Sequence, residues 1–352
     1  MLVTRLLALK PSFERVRRVL QDACGNQFTA AVARIEHGGR LCFEEAYGTT
    51  RADKLGETVY VDSAFDLASI TKIYVSTLAL RAVAEERLKL DEPLTPWLSE
   101  WRGTDREPIT LRMLLAHNSG MNSGADYRQL LGHNVTRFTL ERELVERPGA
   151  RVIYSDLGFI AIGELLQRVY KCSLAALMAR MRSSPVYTPA TTQQHAIPAT
   201  EDDGWRGRVQ GFVHDEKAYL IGGVAGHAGL FGSAQDVAWL AEQYLAPLCG
   251  RDIECVLPAC VAKEAVAEQA FDPVLRRGLG WALKTSDENS CGRLLSAQTF
   301  GHTGFVGTCV WADPVRDCSG VLLTNSVYFG RNDTRDLRAA FYEALVEDLG
   351  LQ

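Results

Sequence analysis

Apolar residues near the start of the chain recur first at the spacing of a helix and then at that of strands. The segment SFERVRRVLQDA at 12–23 carries an apolar residue every three or four positions, which predicts an amphipathic helix. Residues 27–36 and 40–48 are strand-like runs, and Gly38 and Gly39 between them can adopt the positive φ of a tight hairpin. The chain is therefore predicted to begin with a helix and two paired strands.

The other end of the chain has a similar pattern in a different order. A helix is predicted over 334–349, with Asp333 or Thr334 as its N-cap. Before it come short apolar runs bounded by turn residues, which predict strands at 278–284, 304–312 and 319–328.

The region between these ends is mostly helical in pattern, with long loops. Its apolar periodicity predicts helices at 69–86, 109–117, 137–146, 156–170 and 234–246. We therefore predict an α/β domain formed by 1–68 and 271–352, into which a mostly helical domain of residues 69–270 is inserted.

The composition is that of an ordinary folded protein. The 352 residues exceed the roughly 250–300 at which a single core stops growing, so one large domain or two interleaved ones fit. Hydrophobic residues make up 47% and charged residues 23%, and with a net charge of -5 nothing in the composition is basic enough to indicate nucleic-acid binding. The nine cysteines are odd in number and scattered, which favours free thiols over a disulfide framework.

Signals for targeting, membrane insertion and metal binding are missing from the sequence. No apolar stretch approaches the about 18 residues of a transmembrane helix, and MLVTRLLALK at 1–10 is too short for a signal peptide. We expect no transmembrane segment and a cytoplasmic protein, with the periplasm as the alternative if a leader has been removed. Neither a His-Glu-x-x-His motif nor a phosphate-binding glycine loop occurs, so no metal and no cofactor are expected.

The first candidate for chemistry is the pair Ser69 and Lys72, where a predicted helix begins. Residues three apart share a helix face, so the serine hydroxyl and the lysine amine can meet. A serine needs a neighbouring base to become a good nucleophile, and a helix N-terminus favours a nearby oxyanion. Alone, the Ser-x-x-Lys pattern is weak, and Ser69 is equally consistent with an N-cap.

Further segments accompany this motif in a fixed order along the chain. They are FDLASITK at 65–72, ITLRMLLAHNSGM at 109–121, PGARVIYSDLGFIAIGELL at 148–166, GGVAGHAGLFGSAQDV at 222–237 and GHTGFVGT at 301–308. Together, over roughly residues 10–345, they resemble the class C β-lactamase-like serine hydrolases, which include D-alanyl-D-alanine carboxypeptidases, D-amino-acid peptidases and carboxylesterases. The resemblance implies an α+β fold of the β-lactamase/transpeptidase type. In that fold an antiparallel sheet from both chain ends is flanked by helices, and the active site lies between it and a helical insertion domain.

The resemblance implies that Tyr154-Ser155-Asp156 is the second motif, which is Tyr-x-Asn in most relatives. Tyr154 would then handle protons together with Lys72, once a nearby positive charge favours its phenolate. Asp156 departs from the usual Asn, and its carboxylate would hold Lys72 charged, which favours Tyr154 as the base. Two alternatives remain open: Tyr154 as an aromatic packed on the core, and Asp156 as a helix N-cap.

The third motif, by the same resemblance, is His302-Thr303-Gly304, where many relatives have Lys-Thr-Gly. The small Gly304 lets a substrate backbone approach closely, and Thr303 would bind substrate. The backbone N–H groups of Phe305 and Ser69 are implied to form the oxyanion hole. Because His302 is largely neutral at pH 7, a permanent cation for a substrate carboxylate is expected to be missing, which makes antibiotic hydrolysis less favoured.

Other candidate residues are weaker. The Lys-Thr-Ser run at 284–286 competes for the third motif, but polar residues follow it instead of a buried strand. His117, His214 and His227 are interpreted as hydrogen-bonded structural histidines.

The sequence thus predicts a serine hydrolase that forms an acyl-enzyme on a small ester or a D-amino-acid-containing amide. The expected partner is a small-molecule or peptidoglycan-derived substrate, with no nucleic acid; the oligomeric state is left open. The alternatives are a β-lactamase proper and a catalytically silent penicillin-binding-like protein that only binds.

Overall fold

In the computed structural model of the protein, the described residues are 12–122, 124, 126–273 and 275–351. The prediction that 1–10 is not a signal peptide falls outside them. The strands β1 to β13 are Ala30–His37, Arg40–Gly48, Phe65–Asp66, Val186–Tyr187, Glu201–Asp203, Gly207–Val209, Leu230–Gly232, Ala270–Phe271, Arg276–Arg277, Ala282–Leu283, Phe300–Thr303, Cys309–Asp313 and Cys318–Thr324.

The helices α1 to α11 are Glu14–Ala23, Thr71–Ala84, Leu111–Leu115, Tyr127–Leu130, Val135–Glu141, Asp156–Tyr170, Leu174–Met181, Glu216–Leu220, Ala234–Leu248, Ala259–Ala265 and Arg335–Leu349. Short 3₁₀ turns occur at Ala68–Ile70, Ser99–Trp101, Thr191–Ala196 and Ser326–Phe329. No helix among the described residues is long and apolar enough to cross a membrane.

The main sheet joins the two ends of the chain. Its antiparallel strand order is β2-β1-β13-β12-β11-β10-β9-β8, so β1 pairs with its hairpin partner β2 and with β13 from the far end. Gly38 and Gly39 close the hairpin at φ 59° and 70°, the left-handed region that a type I′ turn requires. This confirms the α+β fold class, with an antiparallel sheet built from both ends and flanked by helices.

Alternating side chains place each face of the sheet against a different set of helices. On β1, Ala31, Ala33 and Ile35 join the core that contains residues of α1 and α11. Ala30 and Val32 point the other way, into the larger core shared with α2, α6 and α9. The active-site helix α2 is apolar on nearly all sides and buried between the sheet and the helical region, as expected for a central helix.

Several boundaries differ from the sequence prediction. The run 304–312 is a turn followed by β12, and the strand of the third motif comes earlier, at β11. Only Ala282–Leu283 of the run 278–284 forms a strand. Helix α11 has Thr334 as its N-cap without a side-chain bond, and Asp333 instead accepts the Arg335 N–H. Helix α6 begins and ends where predicted. The limits of the two domains remain a prediction.

Candidate active site

Ser69 lies in the 3₁₀ turn that enters α2, within reach of Lys72. The Lys72 Nζ donates hydrogen bonds to Ser69 Oγ over 2.8 Å and to the His227 carbonyl over 3.1 Å. The Lys72 side chain is fully buried, whereas Ser69 opens onto two adjoining cavities. The N-cap residue of α2 is Ile70, so the alternative of Ser69 as a helix cap is wrong.

Asp156 holds Lys72 in its charged form. Its Oδ1 lies 2.8 Å from Lys72 Nζ. Burial is the largest single effect on the pKa of Lys72 and lowers it, but Asp156 and Tyr154 together raise it by more, so this pKa lies above its ordinary value. Burial is also the largest single effect on the pKa of Asp156 and raises it, but the nearby Lys72, His227 and Lys217 together lower it by more, so this pKa lies below its ordinary value. Ser155 is the N-cap of α6, accepting the Gly158 N–H over 2.9 Å, so the alternative of Asp156 as the N-cap is wrong.

Tyr154 lies beside this ion pair and is half-buried. Its ring centroid is 4.9 Å from Lys72 Nζ and 4.6 Å from the ring of His117. His117 fixes the local backbone, because its Nδ1 accepts the Ser155 N–H over 3.0 Å. The Tyr154 side chain therefore lines both cavities that contain Ser69.

The third motif occupies the end of β11. His302 is buried, its Nδ1 donates to the Thr303 carbonyl over 2.9 Å, and burial followed by nearby positive charges lowers its pKa well below the ordinary value. Thr303 and Gly304 line the larger cavity. A Cβ at Gly304 would lie 2.8 Å from the Leu67 carbonyl, so only glycine allows the strand end to pack against the turn of the nucleophile.

Two cavities meet at the nucleophile. The larger cavity is a cleft of about 520 Å³ between Ser69, β11 and the loop before α11, and the smaller, about 260 Å³, extends toward α8. Phe305 lies at their shared edge, 57% exposed, with its ring stacked on His214 at 5.7 Å. Within the described part of the chain, the Phe305 N–H has no hydrogen-bond acceptor.

Arg277 is a cleft residue that sequence reasoning missed. It lies opposite Ala282, which in turn pairs with Gly301 beside the third motif. The residue is only 7% exposed, and its guanidinium lies 5.2 Å from the Tyr154 ring. Among the described residues the guanidinium meets no carboxylate, and its Nε is buried without a hydrogen-bond partner. The expectation that the cleft lacks a permanent cation is therefore wrong.

Lys217 and Asp215 extend the charge network behind Ser69. Lys217 Nζ lies 2.9 Å from Asp215 Oδ2 and 3.3 Å from Asp156 Oδ2. Asp215 Oδ1 lies 2.7 Å from His227 Nε2. The side chains of Asp156, Asp215 and His227 are close enough together to suggest a cation site. However, the ammonium groups of Lys72 and Lys217 already neutralise both carboxylates, so the donor set does not fit a metal.

His117, His214 and His227 each form a side-chain hydrogen bond, as the sequence predicts. His214 binds Glu201 through Nε2 over 2.7 Å, and its backbone N–H donates to Asp66 over 2.7 Å. His227 is bound to Asp215 as described above. Neither Lys217 nor Arg277 carries a sequence signal, because each lies on a very short element far along the chain from Ser69.

Comparison with known proteins relates the chain to one family. A family model described as Beta-lactamase matches residues 16–344. A protein named putative D-alanyl-D-alanine carboxypeptidase from Escherichia coli is 31% identical over 302 residues, covering 74% of this chain and 68% of its own. An N-acetylmuramyl-L-alanine amidase from Bacillus subtilis is 28% identical, with 88% and 80% covered. The solved structure of EstCE1, a hydrolase with promiscuous acyltransferase activity, superposes with a TM-score of 0.75 at 20% identity, covering 93% of this chain and 97% of its own.

Proposed function

The chain belongs to the Beta-lactamase family of serine hydrolases, and we propose that it hydrolyses a small ester or a D-amino-acid-containing amide through an acyl-enzyme on Ser69. One observation carries the proposal: Lys72 Nζ contacts Ser69 Oγ over 2.8 Å at the base of a cleft of about 520 Å³. A positioned hydroxyl that opens onto a concave cleft is what acyl transfer needs.

The charge on Lys72 favours Tyr154 as the group that takes the serine proton. An ammonium group has no lone pair, so Lys72 held charged by Asp156 donates to Ser69 Oγ and does not accept its proton. In acylation, the Ser69 Oγ bonds to the carbonyl carbon while its proton passes to the Tyr154 side-chain oxygen, which acts as the base. Tyr154 then gives this proton to the departing alcohol or amine. In deacylation, a water loses its proton to Tyr154, its oxygen bonds to the acyl carbon, and Ser69 recovers the proton as the acid departs.

Backbone donors would stabilise the charge that develops in both steps. The Phe305 N–H follows the tight Gly304 turn, and the Ser69 N–H lies in the 3₁₀ turn that enters α2. The N–H groups of Phe305 and Ser69 are our oxyanion-hole candidates, because backbone donors that are already fixed in place need no reorganisation when the carbonyl oxygen becomes negative.

The cleft favours a substrate that carries a carboxylate. Arg277 is a buried permanent cation without an anionic partner among the described residues, and Thr303 and Gly304 lie beside the same cleft. A carboxylate on the substrate would accept the hydrogen bonds that the Arg277 guanidinium can donate. The names of the Escherichia coli and Bacillus subtilis relatives both refer to cell-wall peptides, which supports a peptidoglycan-derived substrate.

Arg277 also makes a β-lactam the second candidate substrate, because β-lactams carry a carboxylate as well. The neutral His302 and the acidic Asp156 still distinguish this site from the usual motifs, and we therefore place esters and D-peptides first. Activity on cephalosporins with none on esters or D-alanyl peptides would reverse that order.

Labelling with a fluorescent phosphonate, followed by intact-protein mass measurement, tests the function. We expect one adduct on wild-type protein and none on the Ser69→Ala variant, whose fold is checked by circular dichroism. A panel of p-nitrophenyl esters, D-alanyl-D-alanine peptides and nitrocefin then identifies the substrate class. A protein that is neither labelled nor active in this panel would be a silent binding protein, and the proposal would fail.

A further inference from the structure

A closed ring of polar contacts lies behind the nucleophile. Lys72 Nζ contacts Asp156 Oδ1 over 2.8 Å, and Asp156 Oδ2 contacts Lys217 Nζ over 3.3 Å. Lys217 Nζ contacts Asp215 Oδ2 over 2.9 Å, and Asp215 Oδ1 contacts His227 Nε2 over 2.7 Å. The carbonyl of His227 then accepts a hydrogen bond from Lys72 over 3.1 Å, which closes the ring.

The ring is electrically balanced when its histidine is neutral. It contains two carboxylates and two ammonium groups, and both lysines are buried. Removing one member of such a group leaves its partner as an uncompensated charge in a poorly solvated place. Each lysine therefore affects the other through the carboxylate of Asp156 that they share.

Asp156 is the member that links Lys217 to Lys72. A neutral asparagine at this position, as in most relatives that share the tyrosine motif, would carry no negative charge for the two lysines to share. With aspartate there, Lys72 alone would face a full carboxylate charge. Lys217 supplies the second positive charge and takes up part of the negative field that would otherwise act on Lys72 and Tyr154.

We propose that Lys217 is a positioning residue: it shares the Asp156 carboxylate with Lys72 and thereby sets the pH range in which Ser69 is activated. The proposal rests on the proposed acyl-transfer function of Ser69. Lys217 does not take part in the proton transfers; it acts through Asp156. Asp215 holds the Lys217 ammonium in place, and His227 in turn binds Asp215.

Other charged or titratable groups also face the ring, and each comes from a different element. They are Asp66 on β3, His117 after α3, Tyr154 before α6, Arg277 on β9 and His302 on β11. These groups are the same in every variant below. Differences between variants therefore report the charges at positions 156 and 217, including the effect of Lys217 on Asp215.

The test measures the pH dependence of kcat/KM for p-nitrophenyl acetate. In Lys217→Met, the loss of a positive charge makes the Lys72–Tyr154 pair hold its proton more tightly. We expect the acidic limb of the kcat/KM profile to move up by about one pH unit. At pH values below the shifted limb, kcat/KM should therefore fall about tenfold. Lys217→Arg keeps the charge and should restore the wild-type limb. Lys263→Met, on the exposed surface, is the matched control and should leave it unchanged.

The double variant Asp156→Asn/Lys217→Met separates charge coupling from a merely structural role. It removes one negative and one positive charge together, so its limb should return to within a few tenths of a unit of the wild-type position. Asp156→Asn alone should move the limb in the opposite direction, to lower pH, which keeps the proposal testable if Lys217→Met does not fold. If Lys217→Met lowered kcat/KM equally at every pH, the proposal would be overturned. The same holds if the acidic limb of the double variant were shifted as far as that of Lys217→Met. Phosphonate labelling of the wild type shows separately whether the proposed function stands.

Discussion

Replacing Arg277 with methionine separates substrate recognition from stability. Arg277 is 7% exposed, and its guanidinium meets no carboxylate within the described residues. A hydrogen bond to a charged group contributes about 1.5–3 kcal/mol. Losing the hydrogen bond between Arg277 and a substrate carboxylate should lower kcat/KM about 10- to 150-fold for that substrate. A neutral analogue should change by less than about threefold, because it never makes that contact.

The assay needs two substrates that differ only in this charge. N-acetyl-D-alanyl-thioglycolic acid and its methyl ester serve, since hydrolysis of both thioesters is followed by absorbance. Because Arg277→Met removes a buried cation without a partner, we expect it to raise the free energy of unfolding by about 1–2 kcal/mol in urea titrations. Equal losses for the acid and the methyl ester would refute the reasoning and indicate that Arg277 acts on the nearby Tyr154 ring instead.

Three further variants test other parts of the site. Tyr154→Phe should lower kcat by about 10²–10⁴-fold, as measured by steady-state kinetics, with little change in substrate binding, as measured by inhibitor titration. An unchanged kcat would exclude Tyr154 as the base. Gly304→Ala should reduce phosphonate labelling of Ser69 without changing the circular dichroism spectrum, because the added methyl group collides with the backbone beside the nucleophile. Labelling equal to that of the wild type would contradict this packing. The hydrogen bond to His214, despite partial burial, lowers the pKa of Glu201 to about 2, so the stability that it contributes is present above its unfolded pKa and is lost as the pH falls toward 2. Glu201→Gln should therefore cost about 1–2 kcal/mol at pH 7, allowing for partial exposure, and much less at pH 3 in urea titrations. An equal cost at both pH values would argue against a stabilising interaction between Glu201 and His214.

Periodicity was sufficient to predict the elements that are long and amphipathic or strongly capped. Helix α6 matches its predicted limits because its apolar spacing continues to its end, although its N-cap is Ser155 and not Asp156, the alternative named from the sequence. The run 304–312 was misassigned because its apolar residues cross a turn that Gly304 and Gly307 make possible, and residue spacing alone does not reveal where the strand stops.

The site could be predicted only where its chemistry is local in sequence or carried by a motif. Ser69 and Lys72 are three residues apart, and their contact follows from helix geometry. The pairing of Lys72 with Asp156 was expected from the motif and the charge of the aspartate. Arg277 and Lys217 were missed because a two-residue strand and a five-residue helix bring them to the cleft, and only tertiary packing fixes that position.

The measurement that tests the account most directly is the mass of the protein during turnover. Wild-type protein is mixed with an ester substrate, quenched within milliseconds to seconds, and analysed by intact mass and peptide mapping. We predict a transient acyl group on Ser69 that forms and disappears at rates consistent with kcat, and no such group in Ser69→Ala. Turnover without an acylated Ser69, or an acyl group on another residue, would contradict the account.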